Sequence, residues 1–150
     1  MDLLLWRHAD AGEGSPDIAR TLTPRGLKQS QRMARWLDQH APTGLRALVS
    51  PATRARQTIE AWNHDYEVTA AVGLDATPQT LLHAAEWPEA GGAVLIVGHQ
   101  PTLGQVASLL LRDEDSMLSF RKGALWWFQQ RERHGEIQTV LKTVINADLI

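Results

Sequence analysis

Three short apolar runs stand out along the first two thirds of the chain: Leu3 to Trp6, Ala47 to Val49, and Ala93 to Val97. Each is too short for a comfortable helix and fits a strand buried on both faces. Between them the apolar spacing lengthens to a helical period. Leu27, Ala34 and Leu37, with Met33 and Trp36 beside them, predict a helix from Pro24 to about His40. Thr23 is its N-cap, Pro24 its first residue, and Pro42-Thr43-Gly44 its close. Ala52, Ala55, Ile59 and Trp62 form the stripe of a second helix, which Ser50-Pro51 opens with no loop after the strand. That stripe leaves Arg54 and Thr58 on a different face. Thr77-Pro78 opens a third helix reaching to about Trp87. Gln100-Pro101 opens a fourth, with Leu103, Val106, Ala107, Leu110 and Leu111 as its apolar stripe. A short strand is expected around Tyr66 to Thr69. Ala124 to Gln129 and Ile137 to Val144 read as two strands around a His134-Gly135 turn, a hairpin at a sheet edge.

Strands alternating with helices predict an α/β fold: a three-layer α/β/α sandwich with a mostly parallel central sheet and an antiparallel C-terminal edge hairpin. A chain of 150 residues without repeat, linker or low-complexity tract is expected to form one domain over residues 1–150. The stretch from Asn63 to Gly92 has room for a strand and a helix, not for a large inserted lid.

Composition removes several function classes. Hydrophobic content of 43% and charged content of 21% are ordinary for a soluble globular chain. A net charge of −2 supplies no global field for nucleic acid or an anionic membrane, so any anion site must be local. The absence of cysteine excludes disulfides, thiolate metal sites and a Cys nucleophile. No apolar run approaches the roughly 20 residues of a membrane span, and the N-terminus does not resemble a secretory leader. A cytoplasmic protein is expected, with neither nucleic acid nor membrane as partner. The six Trp residues suit core and sheet positions better than a base-stacking platform, which needs a surrounding basic patch.

The chemistry lies where strands end. The first run stops at Arg7-His8, the second at Ser50 shortly before Arg54, and the third at Gly98-His99. In a parallel sheet all three ends fall on one edge, where open α/β sheets bind ligands. Arg54 also sits in a helix first turn, where backbone N–H groups and the dipole favour an anion. Two Arg and two His in one crevice have the means to hold a dianion and attack it.

The same residues carry a family resemblance. Arg7-His8-Ala9, Leu22-Thr23-Pro24-Arg25-Gly26, the run from Ser50 to Thr58 and Gly98-His99-Gln100-Pro101 resemble the histidine phosphatase superfamily, in order over roughly residues 1 to 110. Within it the chain is most similar to the SixA-type phosphohistidine phosphatases. The resemblance implies that His8 is a transiently phosphorylated nucleophile. It implies that Arg7, Arg54 and His99 complete the phosphate pocket, with Arg20 a further phosphate or substrate contact. No cofactor is implied. The chain departs from the family in carrying Ala9 where Gly is usual. It also places no carboxylate in a motif that maps onto the general acid of larger members. Asp10, Glu13, Asp75 and Glu86 are the candidates for that acid.

Three other readings compete. A metal could join His8, His99 and Asp10, but Arg7 and Arg54 would repel it. A non-catalytic phosphate-binding module would need His8 blocked. A phosphomonoesterase for a small ester or sugar phosphate is the principal alternative. An open site without a strong acid favours a phosphohistidine-bearing protein instead. Imidazole leaves as neutral histidine once its ring is protonated, whereas an alkoxide needs a proton from the enzyme.

Overall fold

The computed structural model describes residues 1–150. Its centre is a six-stranded sheet in the order β3-β2-β4-β1-β5-β6. The strands are β1 (Asp2–Arg7), β2 (Arg46–Val49), β3 (Glu67–Val68), β4 (Ala93–Gly98), β5 (Leu125–Arg133) and β6 (Glu136–Ile145). The first four are mutually parallel, and β5 and β6 add an antiparallel edge hairpin. His134 and Gly135 turn that hairpin, both with positive φ. The helices are α1 (Pro24–His40), α2 (Thr53–Glu60), α3 (Pro78–Ala84) and α4 (Thr102–Leu110). No helix is long and apolar enough to cross a membrane.

The apolar strand runs are continuous because helices cover both faces. Leu4, Trp6, Leu95 and Val97 point into a core shared with Met33 and Leu37 of α1 and Ala55 and Ile59 of α2. Leu3, Leu5, Val94 and Ile96 point the other way, onto Leu81 of α3, Leu103 and Val106 of α4, and Phe120. Successive side chains alternate between faces, so the interior of β1, Leu3 to Trp6, and of β4, Ala93 to Val97, is apolar at every position.

Three local expectations are corrected. Leu27 is 45% exposed, while Gly26, Ser30, Met33 and Leu37 carry the buried stripe of α1. A Cβ on Gly26 would collide with the Asp10 carbonyl. That close approach seats the first turn of α1 on the 9–13 loop and rotates Leu27 outward. The second helix begins at Thr53, not at Pro51: its N-cap is Ala52, with no side-chain cap, and Ser50 Oγ instead accepts from Ala52 N–H at 3.1 Å. The third helix stops at Ala84 rather than Trp87. Glu86 takes a left-handed φ of 53°, and Glu86 N–H and Trp87 N–H close back onto the His83 and Leu82 carbonyls. This is a Schellman end with Glu where Gly is usual.

Candidate active site

The parallel register brings the three strand ends to one edge. Arg7 pairs with Gly98 and Val49 with Val97. Main-chain bonds then extend the ladder by one residue: His8 N–H donates to Gly98 at 3.1 Å and Ser50 N–H to Val97 at 3.1 Å. Arg7, His8, Arg20, Arg54 and His99 consequently line a single cavity of about 430 Å³. Asp17, Gln100, Lys122, Ala11 and Leu74 complete its wall.

The tautomer of His8 follows from its contacts. Nδ1 lies 2.8 Å from the carbonyl oxygen of Ala9. A carbonyl only accepts, so Nδ1 carries the proton and Nε2 keeps its lone pair. Arg54 Nε donates toward that Nε2 at 3.3 Å. The His99 ring stands beside it, with centroids 5.1 Å apart. Ala9 causes no strain, since it is not among the residues with positive φ. Its N–H donates to Thr58 Oγ1 at 3.0 Å, and Thr58 Oγ1 donates to the Arg54 carbonyl at 2.7 Å, tying the loop after β1 to α2.

The arginines are held from behind. Arg7 Nη1 donates to the Phe120 carbonyl, while its buried Nε has no partner. Arg54 Nη1 and Nη2 donate to the Asp17 carbonyl and carboxylate at 2.8 and 3.1 Å. This leaves the Nε side of Arg54 directed at His8. Arg20 donates to Asp17 at 2.8 Å and to the Gly12 carbonyl at 3.1 Å. His99 Nδ1 is the second buried nitrogen without a partner. Two unpartnered buried donors or acceptors in one cavity are costly in an isolated fold, and a phosphoryl oxygen is a fitting partner for an N–H.

Four cations line the cavity against one carboxylate, in a chain whose net charge is −2. The field is local, as the composition requires. Burial and the neighbouring cationic side chains also keep both imidazoles neutral. Desolvation, followed by His99, Arg54 and Arg7, outweighs the Ala9 hydrogen bond and pushes His8 from 6.5 down to about 3. Desolvation and then Arg54 push His99 down to about 4. The consequence for stability has a definite sign. Above pH 6.5 neither state binds these protons. Below it the unfolded chain takes up protons that the folded chain refuses, so stability falls as pH drops from about 6.5 toward 4. Urea titrations across that window should show a steep decline that a His8→Gln/His99→Gln variant largely lacks. Parallel declines in both proteins would contradict the assignment.

The four candidate acids do not enter the site. Asp10 accepts from Thr23 Oγ1 at 2.7 Å and from Lys122 at 2.8 Å, which turns it away from His8 and His99 and leaves the proposed metal set without its carboxylate. Glu13, Asp75 and Glu86 are exposed and outside the cavity wall. The carboxylate that does line it, Asp17, was missed by the sequence reading. Hydrogen bonds from Arg20 and Arg54 hold it below the usual carboxylate range, so it is ionised at neutral pH. The sequence carried a signal for it in the Asp17-x-x-Arg20 spacing, an i,i+3 ion pair in a loop. Gln100 had one in its place directly after His99, and Lys122 carried none.

Comparison with known proteins bears on the family and on the fold. Residues 3–75 match the model of the histidine phosphatase superfamily, branch 1. The chain is 29% identical to the phosphohistidine phosphatase SixA of Escherichia coli over 129 residues, covering 76% of each chain. It is 36% identical to an uncharacterised protein of Mycobacterium tuberculosis over 110 residues, covering 69% of this chain and 68% of that one. Its fold superposes on the structure of the protein histidine phosphatase SixA complexed with tungstate with a TM-score of 0.82. That superposition covers 99% of each chain at 25% identity.

Proposed function

Because the chain belongs to the histidine phosphatase superfamily, we propose that it hydrolyses phosphohistidine on a protein, through a phosphohistidine formed on its own His8. The observation that carries this reading is the unprotonated lone pair on His8 Nε2, fixed by the Nδ1–Ala9 hydrogen bond and facing Arg54. In the first step Nε2 attacks phosphorus. The substrate P–N bond breaks, and its electron pair goes to the departing imidazole, which leaves neutral if its other nitrogen carries a proton. In the second step water attacks the phosphorylated His8. The P–Nε2 bond breaks, phosphate leaves, and the water proton passes to phosphate or solvent. Arg7 and Arg54 stabilise the equatorial oxygens of the loose transition state, and they supply positive charge from the chain itself.

Two features support an imidazole rather than an alkoxide as the leaving group. The carboxylate in the cavity is ionised and paired with two arginines, so it has no proton to donate. The stretch from Asn63 to Gly92 holds β3, a 3-10 turn and α3, which pack onto the body of the fold. Leu74 is the one residue of this stretch on the cavity wall, so no inserted element stands between the pocket and a macromolecular side chain. The test compares kcat/KM on a histidine-containing protein phosphorylated with phosphoramidate against sugar phosphates. A clear preference for the phosphoprotein is expected. A preference for the sugar phosphates would replace this reading with that of a small-ester phosphomonoesterase.

A further inference from the structure

His99 shows its partner but not its proton. Its Nε2 lies 2.7 Å from Ser50 Oγ, and both residues are buried. Either atom can be the donor across that contact, and the two choices have opposite consequences for the cavity. Ser50 Oγ already accepts from Ala52 N–H at 3.1 Å. Suppose His99 Nε2–H donated to Ser50. The buried Ser50 hydroxyl hydrogen would then have no acceptor, since its only contacts are Ala52 N–H and His99. Nδ1 would also be left as a buried lone pair without a donor, on a ring that lines the cavity. Two groups would be left unsatisfied. If Ser50 O–H donates to Nε2 instead, the hydroxyl is satisfied on both sides. Only Nδ1–H then remains without a partner, and a phosphoryl oxygen is the partner it suits. Burial and the adjacent Arg54 keep the ring neutral, so it bears one proton, not two.

We infer that Ser50 is a positioning residue that sets His99 in its Nδ1–H tautomer, making the ring a hydrogen-bond donor to the transferring phosphoryl group. This rests on the phosphatase reading above. It also explains why Ser50 stands directly between β2 and α2 without capping the helix. The two imidazoles of the cavity then have complementary roles set by different partners. The Ala9 carbonyl makes His8 an Nε2 acceptor, and the Ser50 hydroxyl makes His99 an Nδ1 donor. A mistaken tautomer on His99 would present a lone pair to an anion.

The test reads the ring itself. Nitrogen-15 NMR of histidine-labelled protein, with His99 assigned through His99→Gln, is recorded with and without tungstate. The wild type should show a protonated Nδ1 and a pyridine-like Nε2 on His99 in both states. Ser50→Ala should shift the ring toward Nε2–H and lower kcat on the phosphoprotein by about 10–100-fold, the scale of loss known for removing the orienting partner of a metal-bound histidine. Ser50→Thr, which keeps the hydroxyl, should retain the wild-type tautomer. A wild-type His99 protonated on Nε2 overturns the inference. So does a Ser50→Ala protein that loses activity while His99 stays Nδ1–H, since Ser50 would then act through the backbone at Ala52 alone. If Ser50→Ala does not fold, the wild-type and Ser50→Thr spectra still decide. Failure of the wild type to hydrolyse phosphohistidine would instead remove the functional reading, and the ring spectra register separately from it.

Discussion

His8→Ala should lose turnover by at least about 10⁴-fold, the scale seen when a catalytic nucleophile is removed. The loss should fall on chemistry and not on folding. His8 is 7% exposed, and its side chain makes two polar contacts, to Ala9 and to Arg54. Its removal leaves space at the cavity wall and no unpaired charge. Thermal stability at pH 7 should therefore change little, and tungstate should still bind through Arg7, Arg54 and His99. A second readout separates covalent catalysis from simple electrostatic help. Rapid acid-free quenching of the wild type with labelled phosphoprotein should capture label on His8 that is stable in base and lost in acid. Substantial turnover in His8→Ala, or label on another residue, would refute the two-step route.

Arg54→Ala should cost about 10³-fold or more in kcat, in line with removal of an arginine that neutralises transition-state charge in phosphoryl transfer. The magnitude follows from its placement. The guanidinium is 4% exposed, donates through Nε toward the His8 lone pair, and is gripped on its far edge by the Asp17 carbonyl and carboxylate. Its orientation is therefore already fixed before the phosphoryl group of the proposed reaction arrives. Arg54→Lys should recover only a small part of the loss, because an ammonium has no planar fork to bridge His8 and the phosphoryl oxygens. Asp17 remains paired with Arg20 in either variant, so the loop at 17–20 should stay in place. An Arg54→Lys enzyme near wild-type activity would show that charge alone, without fork geometry, is what the site requires.

Much of this was legible along the chain. Apolar runs ending abruptly in Arg7-His8 and Gly98-His99 give strands and the polarity of their ends together. Thr23-Pro24 and Thr77-Pro78 name two helix starts that the structure keeps. The His134-Gly135 turn sets the edge hairpin. Where reading failed, a tertiary partner had overridden a local signal. Ser50-Pro51 looks like a helix cap, but the Ser50 hydroxyl bonds Ala52 and His99. Leu27 looks like a core residue, but Gly26 fixes the rotation of α1 through its contact with Asp10. Asp10 looks like a catalytic candidate, but Lys122, distant in sequence, takes its carboxylate.

The sequence by itself determined the layered fold and the convergence of Arg7, His8, Arg54 and His99. Periodicity and strand-end chemistry are local properties, and parallel connectivity puts every strand end on one edge. The proton on His8 was also within its reach in principle, because the deciding acceptor is the next residue, Ala9. Only the tertiary structure decided which carboxylate lines the cavity, which edge of Arg54 faces His8, and what His99 is bonded to. Those outcomes depend on which buried donor meets which acceptor across the sheet. A buried polar group takes whatever partner packing delivers, because going without one costs more than any preference its own sequence neighbours express.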